Sequence, residues 1–366
     1  MGLRVLITNI ELWSRTGTPL YVRDLALELR RQGHLPAVYT LEKGQIAREL
    51  DKVGIPVAGH LRRLDLQPEI IHGHHFSTTL SAVQYDPGVP AIFICHDHIS
   101  PHDRTPFHPR IRRYFGSSRV CVERLIRDGV PADNARLLPN FVDTTRFLPR
   151  PPLPERARRA LVFSNYAAAE THLPAISEAC RRAGLELDVV GAGVDHPMAQ
   201  PESIRGQYDI VFAKAKAAIE AMAVGTAVIL CDYAGVGPMV TSAEFDDLRP
   251  LNFGFQALRA PLRPENILDQ IARYDPQDAA RVRDLVRASA GLDQATKHLV
   301  DIYQEVIEEH RSVAPDRSKG RIRRLLLRER GVQKLVRAWV ALQPSQRAFF
   351  RRLPGFGMVA DRVKRS

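Results

Sequence analysis

Glu220, Lys214, Lys216 and a run of histidines between His72 and His108 are the side chains whose types and spacing suit chemistry on a phosphorylated substrate. Lys214 and Lys216 stand just before an Ala-rich stretch, residues 217–223, that carries Glu220 as its one acid and is closed by Gly225. Continuous apolar runs flank it, Ile210-Val211-Phe212 before and Ala227-Val228-Ile229-Leu230 after, as expected of parallel strands covered on both faces. The whole segment therefore predicts one βαβ unit. A helix that starts at the carboxyl end of a parallel strand points N–H groups and the positive end of its dipole into the crevice where α/β sheets bind ligands. With Lys214, Lys216 and the Ala217 amide at its mouth, that crevice suits a diphosphate. The alternative reading is a surface helix acid beside two solvated lysines.

The elements that must position this unit follow from the rest of the chain. At 366 residues the sequence exceeds one ordinary core and suits two α/β domains with an extension. Leu3-Arg4-Val5-Leu6-Ile7-Thr8 reads as a first strand, a loop follows through Gly17 and Thr18, and residues 20–29 have helical spacing. Further strands are expected at 37–41, 70–72, 91–95, 119–122 and 137–138, with helices between them at 45–53 and 124–128. Prolines 149, 151, 152 and 154 crowd a segment that suits neither helix nor central strand, and the strand pattern resumes at residue 160. A helix near 175–182, a strand at 187–191, the βαβ unit and helices at 265–273, 278–288 and 294–310 complete the second half. This alternation predicts two doubly wound parallel sheets.

Charge is unevenly placed. Residues 316–366 hold 15 Lys or Arg against three acids, a net +12, so the remainder is close to neutral within a chain of net charge +11. Cys95, Cys121, Cys180 and Cys231 have no close pair and read as small buried side chains in a reducing compartment. No apolar run reaches the roughly 18 residues of a membrane span, and the first ten residues are too short for a signal peptide, so a cytoplasmic location is expected.

Several segments together resemble the GT-B glycosyltransferases, particularly family four. Glu-Ala-Met-Ala-Val-Gly-Thr-Ala-Val, residues 220–228, is similar to that family's nucleotide-sugar segment. Residues 16–22 with Gly33-His34 resemble its glycine loop and first helix, Ile70-Ile71-His72-Gly73-His74-His75 its His-x-His strand end, and Leu138-Pro139-Asn140-Phe141-Val142-Asp143 its exit from the first domain. The matches run in family order over residues 1–312. The resemblance implies two Rossmann-like domains facing across a cleft. Residues 1–148 would form the acceptor side, 149–159 a linker, 160–293 the nucleotide-sugar domain, 294–312 a closing helix and 313–366 a basic helical tail. It also implies retaining, metal-independent transfer from a UDP- or GDP-sugar to a glycan or lipid-linked acceptor in cell-envelope polysaccharide or lipopolysaccharide synthesis. Glu220 would hold the donor ribose, with Gly17, Thr18, Asn165, Ala217 and Gly235 lining the donor and Lys214, Lys216 and His96 acting on the reacting centre. No cofactor beyond the donor is implied.

Two departures stand against the family pattern. The Arg and Lys expected after the first strand of domain two are replaced by Ser164-Asn165-Tyr166 and Thr171, and a second Glu, eight residues before the ribose Glu, is replaced by Phe212. A catalytically silent sugar-nucleotide-binding scaffold and a nucleotide-sugar epimerase therefore stay open as alternatives. The segment between Gly193 and Asp209 is short enough to imply a compact second domain.

Seven of the 13 histidines lie between His72 and His108. Their spacing lacks the carboxylates or cysteines of a zinc site, so no metal is expected. His96, after a buried strand, resembles the family's active-site histidine, with His72 or His74 on the acceptor side. In the tail, Ile322, Leu325, Leu326, Val332, Leu335, Val336, Trp339 and Val340 form a helical stripe opposed by Arg and Lys. Residues 317–365 thus suit the inner face of an anionic plasma membrane, or packing on the chain's own domains. Nucleic acid is not an expected partner, since stacking aromatics do not interleave the cations.

Overall fold

The computed structural model describes residues 2–191, 193, 202 and 205–312. The expected basic tail at 313–366 and most of the short 193–209 segment lie outside the described residues. The chain divides into two compact units. Among the described residues, one comprises 2–117 and 121–136 with 299–312; the other comprises 118–120 and those described within 137–298.

In the first unit the chain runs through β1 (Arg4–Leu12), α1 (Gly17–Arg31), β2 (Leu35–Lys43), α2 (Gln45–Lys52), β3 (Val57–Ala58) and β4 (Ile70–His74). It continues through α3 (Phe76–Tyr85), β5 (Ala91–Cys95), β6 (Ile111–Gly116), α4 (Arg119–Arg127) and β7 (Ala135–Leu137). The strands form one sheet in the order β3-β2-β1-β4-β5-β6-β7, with parallel pairing from β3 through β6. Its central strands are buried throughout, including the imidazoles of His72 and His74 in β4.

The second unit follows as β8 (Arg159–Phe163), α5 (Leu173–Ala183), β9 (Glu186–Val190), β10 (Ile210–Ala213), α6 (Ala215–Val224) and β11 (Ala227–Asp232). Then come β12 (Gly235–Met239), α7 (Phe245–Leu248), α8 (Pro264–Ile271), α9 (Pro276–Ser289) and α10 (Leu292–Arg311). Strand order is β12-β11-β10-β8-β9, parallel except for β12. Side chains alternate between two cores: Val211 and Ala213 of β10 pack with α6 and α9, whereas Ile210 and Phe212 pack with α5 and α8. That two-sided burial is why the strand sequence is apolar without a break. Gly184 and Gly225 close α5 and α6 in left-handed conformations, at φ of 70° and 98°.

Three expectations need correction. The apolar run at 119–122, read as a strand, is the first turn of α4, where Cys121 and Leu125 bury one helical face. The strand lies earlier, in Ile111–Gly116, where two arginines break the apolar pattern; the guanidinium of Arg113 is paired with Glu309 of α10, so its charge is met within the unit. The division between the units falls at residues 136–137 rather than at the prolines, because Val142 and Phe147 belong to the second unit's core and Val142 bridges to Gly291. Lastly, α10 does not close the second unit alone: from Leu299 on it belongs with the first.

A close approach makes one test of this packing. A Cβ on Gly116 would come within 2.4 Å of the Val122 amide nitrogen. Gly116→Ala is expected to destabilise the first unit by about 1–3 kcal/mol, as overpacking does, read as a lower urea midpoint at unchanged slope.

Candidate functional site

Each sheet reverses its strand order once, between β8 and β10 in the second unit and between β1 and β4 in the first. Open α/β sheets bind ligands at the carboxyl ends of the strands beside such a reversal. In the second unit the loop after β8, residues 164–172, and Lys214 after β10 flank that point.

The connection from β10 to α6 is one residue long, Lys214, which is the N-cap. Lys216, expected before the helix, is inside its first turn and only 7% exposed. Its Nζ lies 3.6 Å from Oε1 of Glu220, one turn along, and donates to the Phe141 carbonyl at 3.5 Å. Glu220 is 3% exposed. The structure thus joins Lys216 and Glu220 in a buried pair, which excludes the solvated-surface reading of both. Phe212 lies in β10 and faces the α5 and α8 side of the core. Its ring is part of that core, and Lys214 alone separates the strand from the helix.

The short connection is held by unusual backbone. Ala215, Asn252 and Phe253 all have positive φ, 50°, 54° and 50°, and Ala215 N–H donates to the Phe253 carbonyl at 2.9 Å. Such conformations cost of order 1–3 kcal/mol each for residues other than glycine and concentrate at functional sites. The neighbouring Asn252 side chain accepts from the Asn140 amide, and Arg249 donates to the Asn140 carbonyl at 2.8 Å. Burial lowers the Arg249 pKa to about 10.

Lys214 is also neutralised. Its Nζ lies 3.1 Å from Oδ2 of Asp232, a residue 1% exposed at the end of β11, and stands over the rings of Phe255 at 4.2 Å and Tyr166 at 5.4 Å. Tyr233 closes this group, 5.6 Å from Tyr166 and 5.7 Å from Phe255 between ring centroids. His172, buried at the start of α5, has no hydrogen-bond partner on either ring nitrogen among the described residues. Burial lowers its pKa, with Lys214 acting in the same direction and Asp232 opposing. Sequence reasoning missed Asp232, His172, Tyr233, Phe255 and Arg249; only Asp232, at the carboxyl end of an apolar strand, carried a usable signal.

Asn165 lies exposed in the loop after β8, next to Tyr166, and Ala217 in the first turn of α6. Gly235 sits elsewhere than its sequence suggests. Instead of a ligand-facing turn it opens the antiparallel β12 opposite Asp232, with φ of 153° and the Ala260 carbonyl 2.7 Å from where a Cβ would be. Its requirement is steric.

In the first unit, Gly17 and Thr18 begin α1 rather than a loop, with Thr16 as N-cap and no acid in the first turn. A Cβ on Gly17 would meet nothing within 4 Å, so that helix end is open. One turn on, Tyr21 buries its ring against His74 and His96, at 5.2 and 5.0 Å, edge-on to both. His96 Nε2 is 2.8 Å from His74 Nδ1, and its backbone N–H donates to Asp103 at 2.9 Å. His72 Nδ1 meets the Tyr303 hydroxyl at 2.5 Å. The first unit therefore gathers Gly17, Thr18 and His96 at one end of its sheet, and the second gathers Lys214, Lys216, Ala217 and Glu220. Burial is the main cause that lowers the histidines: His72 to about 3, His96 to about 4, and His74 well below the ordinary value. No group of three or more His, Cys, Asp or Glu among the described residues is arranged to hold a metal ion. No described helix is long and apolar enough to cross a membrane.

Residues 15–146 match the family model for Glycosyltransferase Family 4. No curated protein matches the sequence. Among solved structures, a glycosyltransferase from Rickettsia africae is similar at 13% identity and a TM-score of 0.59, over 84% of this chain and 99% of that one. HepE of Anabaena, in complex with UDP and glucose, is similar at 14% identity and a TM-score of 0.59, over 82% and 99%. AviGT4, a glycosyltransferase involved in avilamycin A biosynthesis, is similar at 17% identity and a TM-score of 0.54, over 84% and 98%. The chain is thus similar to family four and has the GT-B fold, two Rossmann-like α/β units.

Two outcomes follow from the buried charges. Glu220→Ala takes the countercharge from a buried ammonium and is expected to cost about 3–5 kcal/mol of unfolding free energy. Combining it with Lys216→Met should recover most of that loss, measured by urea denaturation. The neutral histidines set a pH window. As pH falls below the ordinary value near 6.5, the unfolded chain binds protons that the folded chain, with lowered pKa values, does not. Stability is therefore expected to be complete above about pH 7 and to fall steadily from about pH 6.5 toward pH 4; a flat profile of unfolding free energy would contradict the buried neutral rings.

Proposed function

We propose that this protein is a glycosyltransferase that takes a nucleotide-diphosphate sugar on its second unit and supplies acceptor-side groups from its first. The observation that carries this reading is the buried Glu220 on the helix that leaves β10 beside the strand-order reversal, within a chain of GT-B fold. Glu220 holds the ribose hydroxyls. The diphosphate draws Lys214 away from Asp232 and meets the amide end of α6, with Ala217 and Asn165 at its border. Charge that builds on the diphosphate as the sugar leaves is then met by Lys214, Lys216 and the helix end, with no metal required. His96 contacts the donor sugar or the acceptor. Gly17 and Thr18 leave the α1 terminus open to an anionic oxygen.

The donor is a UDP- or GDP-sugar; the UDP bound to HepE favours the first. A hexosyl group would pass with retention to a glycan or lipid-linked acceptor of the cell envelope. Residues 317–365 would hold the protein at the inner membrane face, the rest being cytoplasmic.

A second reading, donor binding without transfer, is favoured by the one-residue connection at Lys214, which leaves no loop for a sugar-binding acid, and by the two lysines already neutralised by acids.

A panel of UDP-, GDP- and ADP-sugars, assayed for thermal stabilisation and nucleotide release, tests both. A bound donor at 100 times its Kd should add about 2.7 kcal/mol of stability. Glu220→Gln, which keeps size and removes charge, should weaken that donor by about 10- to 100-fold, the worth of a hydrogen bond to a charged group. With a glycan acceptor mixture added to take the sugar, stabilisation with nucleotide release supports transfer, stabilisation without release supports the second reading, and no stabilisation by any donor overturns both.

A further inference from the structure

We infer that His74 is a positioning residue that fixes the ring of His96 with its hydrogen on Nδ1, and that His96 and His75 together present two neutral N–H donors to a ligand oxygen, a sugar hydroxyl or a phosphoryl oxygen. What the donors contact rests on the function proposed above; the tautomers themselves do not.

Between His96 Nε2 and His74 Nδ1, 2.8 Å apart, one hydrogen is shared and either ring can own it. If His96 Nε2 is the donor, His74 must carry its own hydrogen on Nε2. That atom is buried and has no hydrogen-bond partner among the described residues. If His74 Nδ1 is the donor, the same buried Nε2 is a bare lone pair. Buried N–H groups without acceptors are the rarer and costlier defect, so His74 donates and His96 Nε2 accepts. The hydrogen of His96 then sits on Nδ1, which no described residue engages, on a side chain that is partly exposed. A charged ring would evade this choice, but burial keeps both imidazoles neutral at pH 7.

His75 is fixed the other way round. Its Nδ1 accepts the Ile10 N–H at 3.2 Å, which leaves the hydrogen on Nε2. Its backbone is held at φ of 63°, a strained value for a residue with a side chain, at the turn from β4 into α3. His96 lies near enough to His75 to lower its pKa, after burial and His102. Both rings thus reach the carboxyl end of β4 and β5 as donors. A neutral ring that offers N–H cannot accept a proton from an acceptor hydroxyl, so His96 binds and orients rather than serving as a general base.

The test is the tautomeric state read directly. Full-length protein labelled with 15N at histidine is examined near neutral pH by long-range proton–nitrogen correlation, with assignments from His96→Gln and His75→Gln. His96 is expected to show a protonated Nδ1 and an unprotonated Nε2, and His75 the reverse. In His74→Leu the His96 pattern should move to the Nε2–H form that free imidazoles favour. His74→Asn, whose amide places an N–H at the same distance along the side chain, should restore it. A protonated His96 Nε2 in the unaltered protein overturns the inference, whether or not the His74 variants fold, as does a His96 pattern unmoved by His74→Leu. Absence of transfer in the unaltered protein would overturn the proposed function and leave the tautomer result standing.

Discussion

Where a parallel sheet reverses its strand order, the helices on either side depart to opposite faces and no crossover covers the gap. That constraint places most of the candidate functional side chains in this protein, Gly235 on the edge strand β12 being an exception. In the second unit it falls between β8 and β10, so the loop at 164–172 and Lys214 flank it. In the first it falls between β1 and β4, so the start of α1 and the turn at His75 do. The cores on both sheet faces exist to hold those strand ends in register, which is why Phe212 and its neighbours are buried so completely.

The second constraint is electrostatic. Charges removed from water must be matched, and here they are matched locally: Lys216 by Glu220 one helical turn away, and Lys214 by Asp232 on the adjacent strand. Desolvation of such pairs offsets much of their attraction, so they are poor stabilisers by comparison with apolar packing. Their value lies in keeping cations in place with only weak competition from water. Lys214, framed by Tyr166 and Phe255, is the more exposed of the two lysines. The first unit solves the matching problem differently, by keeping its buried imidazoles neutral and bonding them to one another and to Tyr303.

Much of this was legible in the sequence, for physical reasons. Strands buried on both faces, such as Ala91–Cys95 and Ala227–Asp232, announce themselves as unbroken apolar runs, and α6 was marked by its alanines and by Gly225. The segment Ile111–Gly116 was hidden because its arginines are paired by partners almost 200 residues away in sequence, which no local pattern encodes. Glu220 stands out as the one acid in an apolar helix, whereas the helical place of its partner Lys216 is hidden by a strand-to-helix connection of one residue, shorter than the usual roughly 2–6. The ring group around Lys214 assembles from three separated segments, at residues 166, 233 and 255, and nothing in any one of them marks it. Nor could spacing reveal that His74 and His96, 22 residues apart, share a hydrogen.

In the function proposed, the end of α6 and the loop after β8 receive the diphosphate and ribose of a sugar nucleotide. Hydrogen exchange of the backbone amides, with and without saturating UDP-sugar, tests it most directly. Slowed exchange is expected at residues 214–220 and in the 164–172 loop, with a smaller effect in Glu220→Gln. Binding that leaves both segments exchanging at their original rates, with protection elsewhere, would contradict it.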